Sequence, residues 1–190
     1  MRWTLLTLAM LLPLSAWGQS DADCTAIEDR ARQIDCYSDL GDWTFESHRL
    51  SFDDPVSIFM SVFSDDFVRL RSGGAKAAVI TIGCVDSVLS IYVDILGVRF
   101  EGSHRRELKY RVNRRRAGTW YAMPGAGSNE GLGLWRSHRS IPAISELFGG
   151  DVLQIRLPRS PLFRENRAKI RFNIAGLEEQ IVPLREACNW

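Results

Sequence analysis

Charge of one sign is the first thing this chain lacks. Its 24 lysines and arginines face 23 aspartates and glutamates, so no net field steers it toward nucleic acid or an acidic membrane. Histidine is scarce, with His48, His104 and His138 scattered and none in a Ser-His-Asp or Cys-His order. The four cysteines show no Cys-x-x-Cys spacing, which leaves zinc without its usual ligands. Gly-x-Ser-x-Gly is absent, and with it the elbow that presents a catalytic serine. Gly125-Ala126-Gly127 is not followed by the helix that a phosphate cradle needs. These absences point away from an enzyme, a metal centre, a cofactor and nucleic acid as a partner. No apolar run reaches the roughly 20 residues of a spanning helix.

What is there begins with an export signature. Arg2, the apolar stretch Leu5 to Leu14 and the small-x-small triplet Ala16-Trp17-Gly18 have the layout of a secretory signal peptide. Cleavage is expected after Gly18, leaving residues 19–190 as a single soluble domain in the periplasm. Asp-Ala-Asp before Cys24 is the wrong context for lipid attachment. An even number of cysteines in an oxidising compartment predicts two disulfides among Cys24, Cys36, Cys84 and Cys188, with three connectivities open. A straight helix would hold Cys24 and Cys36 about 18 Å apart, so their pairing requires the chain to turn near Asp29. We favour that local clip, together with Cys84–Cys188 as a long tether that pins the C-terminal tail to the body.

The segment from Cys24 to Trp43 has helical spacing through Ile27, Ala31, Ile34 and Leu40, with Gly41 as its stop. Strand signals dominate after it. WTFESHRL from Trp43 alternates, and VSIFMSVF is bracketed by Asp53-Asp54-Pro55 and Ser64-Asp65-Asp66. AAVITIGC and VLSIYVDI predict a hairpin with Cys84 at its turn end. VRFEG, ELKYRVN and TWYAMP follow as strands, and Ser140 is placed to cap a short helix ending at Gly149-Gly150. DVLQIRL and AKIRFNI are the last strands, with Pro158 to Arg167 between them as a surface loop. The tail returns to helical spacing, which Pro183 should end or kink. The expected fold is mainly β (α+β): an antiparallel sandwich or curled sheet, an N-terminal helical module and a C-terminal helix.

Three features are candidates for function. The basic run from His104 to Arg116 places Lys109, Arg111 and Asn113 on one strand face, with Arg114, Arg115 and Arg116 following. It suits a carboxylate, phosphate or acidic protein surface, although an edge strand also uses positive charge to deter pairing. Asp53-Asp54 and Asp65-Asp66 lie at opposite ends of a strand, roughly 30 Å apart, and suit turns better than one acid–base or calcium site. Trp43, Trp120, Trp135 and Trp190 suit sugar stacking or, more commonly, core packing.

Four segments in order carry a resemblance: CTAIEDRARQIDCYSDL, FDDPVSIFMSV, GLGLWRSHRSIPAISELFGGDVLQIRL and FNIAGLEEQIVPLREACNW. Together they resemble the VasI family, called TagO in some systems, of type VI secretion-associated proteins. Gly83 departs from the basic residue expected before the central cysteine. The resemblance implies a periplasmic accessory component with no enzymatic activity and no catalytic residues to carry over. Its partner would be an envelope or secretion-apparatus protein, or a cell-wall component. The alternative is a glycan or peptidoglycan-fragment binder independent of secretion.

Overall fold

The computed structural model describes residues 42–49, 56–100, 102–125, 131–165 and 167–190, with isolated positions 27, 29, 32 and 36. The central hairpin pairs β3 (Ala75–Val85), an apolar run buried continuously from Ala78 to Cys84, with β4 (Val88–Ile95), whose burial alternates. Ile80↔Val93, Ile82↔Ile91 and Cys84↔Leu89 pair across it with their side chains buried. Asp86 and Ser87 form its turn, both at positive φ (48° and 60°), the geometry that suits the twist of the flanking strands. The hairpin and the position of Cys84 are as expected.

The other strands are β1 (Thr44–His48), β2 (Ser57–Arg69), β5 (Arg106–Val112), β6 (Gly118–Pro124), β7 (Leu132–Leu134), β8 (Val152–Arg156) and β9 (Lys169–Asn173). All pairings are antiparallel, in the order β1-β2-β3-β4-β7-β6-β5-β8-β9. β2 decides the architecture. Ser64-Asp65-Asp66 was expected to end it, yet it continues to Arg69 with an irregular register between Phe63 and Phe67. There the Ser64 hydroxyl donates to Asp66 O at 2.6 Å and accepts the Ala78 N–H at 2.9 Å. A side chain thus replaces a ladder bond where the main chain bulges, and the bulge bends the strand. The second half of β2 then pairs with β9 (Ser64↔Phe172), while the first half pairs with β1.

That pairing closes β2 to β9 into an eight-stranded antiparallel barrel, with β1 outside the ring. The expected sandwich is corrected accordingly, its alternative of a curled sheet being here curled to closure; the mainly β class stands. Eight strands leave an interior just wide enough to fill with side chains. Ile58, Met60, Ile80, Leu108, Ile155 and Ile170 fill it, each at most 1% exposed.

Helices close one end of the barrel: α1 (Ser137–Ser145), α2 (Leu177–Gln180) and α3 (Val182–Ala187). β7 pairs with β4 only over Ile91 to Val93, so the Leu89 main chain on that edge needs other partners. Ser137 Oγ accepts the Leu89 N–H at 2.9 Å and Ser140 Oγ donates to Leu89 O at 2.5 Å. Ser140 is therefore a buried clamp inside α1, not its cap; Arg136 holds the cap position. Pro183 stands in the first turn of α3 and the expected C-terminal helix is split at Ile181. Cys188 bonds to Cys84 across 104 residues, with alpha carbons 5.8 Å apart. Cys36 is disulfide-bonded and, like Arg32, helical. Its favoured partner Cys24, the signal segment and the rest of the N-terminal helical module lie outside the described residues.

The opposite end is closed by the loop expected on the surface. Phe163 is fully buried, bridges to Leu70 and meets Phe100 edge-on at 6.4 Å. Arg71 N–H donates to Leu162 O at 2.8 Å, and Arg164 N–H to Arg69 O at 2.9 Å. Val98 and Phe100, expected in a strand, belong to the β4–β5 connection and are buried.

Candidate functional site: a basic face of the barrel

Alternation along β5 buries Leu108 and Val112 and exposes Glu107, Lys109 and Arg111. β8 exposes Gln154 and Arg156, and β9 exposes Lys169 and Arg171. The register aligns Lys109 with Arg156 and Arg156 with Lys169, so three cations stand in one row across three strands. Like charges directly opposite one another oppose sheet formation. The fold itself therefore gains nothing from this row. Lys109, Arg156, Arg159 and Arg167, with Glu107 and Pro158, line a shallow groove of about 140 Å³ beside it. Among the described residues, none of Lys109, Arg156, Arg159, Arg167 and Lys169 makes an ion pair or a side-chain hydrogen bond.

Arg171, one row away, behaves differently. It grips Asp66 with two hydrogen bonds, 2.9 and 3.1 Å. That hydrogen bond holds the Asp66 carboxyl below its ordinary range and raises the arginine. Arg171 thus serves the β2–β9 seam, and the groove cations remain available to a ligand. A solvated cationic row of this kind has the charge to hold anions such as carboxylate or phosphate.

A model of the family described as Type VI secretion system VasI, EvfG matches residues 59–190. The chain belongs to the VasI family. Neither a curated protein nor a solved structure matches it. As a VasI protein it is associated with type VI secretion. The matched stretch runs from Phe59 within β2 to Trp190, so it takes in the basic face, the plugged ends and the Cys84–Cys188 bond, while β1 precedes it.

In this VasI barrel the basic run read from the sequence is divided. Lys109 and Arg111 lie on the outer face, whereas Arg114 and Arg116 are exposed in the β5–β6 turn at the helical end. Arg115 is turned onto the end of α1, where it donates to Glu146 O (3.1 Å), Phe148 O (3.0 Å) and Gly149 O (2.9 Å). It satisfies carbonyls left over at a helix C-terminus. Asn113, at φ 48°, accepts the N–H groups of Asp151 and Val152 and pins the same turn. Sequence reasoning missed Arg156, Arg159, Arg167 and Lys169. The alternation that exposes Arg156 in DVLQIRL and Lys169 in AKIRFNI was visible, but not that β8 and β9 lie beside β5, nor that the loop brings Arg159 and Arg167 to the groove.

The tryptophans divide as well. Trp43 and Trp120 are core residues, at 0% and 6% exposure. Trp135 is half-buried on the outer face, stacked on Tyr92 at 5.0 Å with its N–H donated to Met123 O. Trp190 stacks on Phe148 beneath the Arg185 guanidinium. Tyr110 stacks on Trp120 and donates to the Glu146 carboxylate; burial first, then that carboxylate, pushes its hydroxyl up to about 12. Among the described residues no His, Cys, Asp and Glu gather into a metal site, and no helix is long and apolar enough to cross a membrane. Asp53-Asp54 lie outside the described residues, and Asp65-Asp66 belong to β2.

Proposed function

We propose that this VasI protein is a non-enzymatic accessory factor of type VI secretion that acts in the periplasm by binding. The row Lys109–Arg156–Lys169 carries the reading: it opposes the sheet, has no described ion-pair partner, and sits on a barrel whose inside is packed with side chains. Its partner is an anionic surface of an apparatus or envelope component. The Cys84–Cys188 bond supports an oxidising compartment, as does the export signature of the N-terminus.

The test is release of the secretion tube protein from a deletion strain. Wild type should restore release, and so should Arg114→Ser/Arg116→Ser. Lys109→Ser/Arg156→Ser/Arg167→Ser should not. Full restoration by that triple variant would overturn the role of the face. A second reading rests on Trp135: a half-exposed indole stacked on Tyr92 is a platform for a sugar face. Saturable quenching of tryptophan fluorescence by muropeptides, lost in Trp135→Leu, would favour that reading.

A further inference from the structure

We infer that the basic face is one side of a larger docking surface at the Phe163-plugged end of the barrel, and that this surface sits on the phosphate headgroups of an anionic lipid leaflet. The inference rests on the reading of the basic face as a binding surface and names what it binds.

Cations at this end are not confined to the groove. β2 ends at Arg69, and Arg71 follows in the turn; both are exposed. The 158–167 loop is stitched to them through the Arg71–Leu162 and Arg164–Arg69 main-chain bonds, which set the exposed Arg164 beside the pair. The groove residues Arg159 and Arg167 stand on the same loop. One nearby carboxylate, Asp66, is already engaged by Arg171. Glu107 in the groove, Asp65 on β2 and Glu165 on the loop offset part of this charge, but these elements carry more cations than carboxylates.

An apolar side chain stands among these charges. Leu162 is 46% exposed although its neighbour Phe163 is fully buried. The plug thus holds the leucine outward beside Arg71 and Arg164. Phe67, 66% exposed, precedes Arg69 on the outer face of β2. A lone exposed leucine needs no explanation; one framed by unpaired arginines has the composition of an interfacial contact, with cations for headgroups and an apolar tip for the acyl boundary. The cations spread over separate connections and a shallow groove, with no buried donors arranged around one fixed acceptor. A laterally adaptable sheet of phosphates meets such a spread better than the fixed acidic patch of one protein.

The experiment is co-sedimentation of the soluble protein, recovered from an expressing host, with vesicles. One set contains phosphatidylglycerol mixed with phosphatidylcholine, the other phosphatidylcholine alone. Wild type should sediment with the anionic set only, and release as salt is raised. Arg69→Ser/Arg71→Ser/Arg164→Ser should bind about a hundredfold more weakly, from the contribution of each surface cation. Leu162→Ser should lose roughly tenfold at the same charge. Arg114→Ser/Arg116→Ser, at the other end, should bind as wild type does, and thermal melts should confirm that all variants fold.

Equal sedimentation with both vesicle sets, or wild-type binding by the Arg69/Arg71/Arg164 variant, would overturn the inference. If wild type ignores anionic vesicles while the groove variant still fails to restore secretion, lipid is wrong, an acidic protein surface takes its place and the binding role stands. If the vesicle results hold and the groove variant secretes normally, lipid docking stands and the role of the face in secretion falls.

Discussion

Arg171 reaches across the seam where β2 meets β9 and takes both oxygens of Asp66. Three other cations on the same side of the sheet, Lys109, Arg156 and Lys169, have no such partner among the described residues. The hydrogen bond from Arg171 holds the Asp66 carboxyl below its usual value, against a smaller opposing effect of burial. A carboxylate depressed in the folded state adds stability that is present above its unfolded pKa, about 3.9. That stability is lost as pH falls through the lower folded value. The pair is substantially exposed, 52% and 36% for the two side chains, so the effect is modest. Asp66→Asn should therefore flatten part of the acid limb of the urea midpoint and lower stability only slightly at neutral pH. An acid limb identical to wild type would show that the seam does not depend on this charge.

Among the elements, the 158–167 loop does most to seal the end of the barrel away from the helices. Pro158, Pro161 and several arginines mark it as surface, and most of it is, but Phe163 enters the core and bridges Leu70. Phe163→Ala should cost about 3–5 kcal/mol, read from urea unfolding, whereas Leu162→Ser next to it should change little. Equal effects at the two positions would mean the loop lies on the barrel without plugging it. The β3–β4 hairpin was legible because two strand-length apolar runs and the turn at Asp86-Ser87 between them are local properties. The second half of β2 was not, because Ser64-Asp65-Asp66 looks like a turn until the Ser64 hydroxyl is seen replacing a ladder bond. Half of the candidate face was legible for the same reason. Lys109 and Arg111 follow from alternation within β5, but their neighbours Arg156 and Lys169 are set by strand order, which no local pattern encodes.

At the scale of the whole molecule the two ends of the barrel are unlike. One carries the Phe163 plug and the cationic groove; the other carries α1, α2, α3 and the Cys84–Cys188 bond. Leu177, Ile181 and Leu184 are buried there, so the terminal helices adhere through apolar contact as well as through the disulfide. In the chain-entropy description, closing a loop of this length contributes up to about 4.7 kcal/mol by restricting the unfolded chain. Because the helices keep their apolar contacts without the bond, Cys188→Ser should lower stability by roughly 2–4 kcal/mol and still fold. For a chain of this size that is several degrees in melting temperature. The change lies at the helical end, so anionic vesicle binding by the folded variant should match wild type below its melting transition. A Cys188→Ser protein that melts with oxidised wild type would assign closure of that end to the helices alone. One that folds normally but loses vesicle binding would show that the two ends are coupled through the barrel.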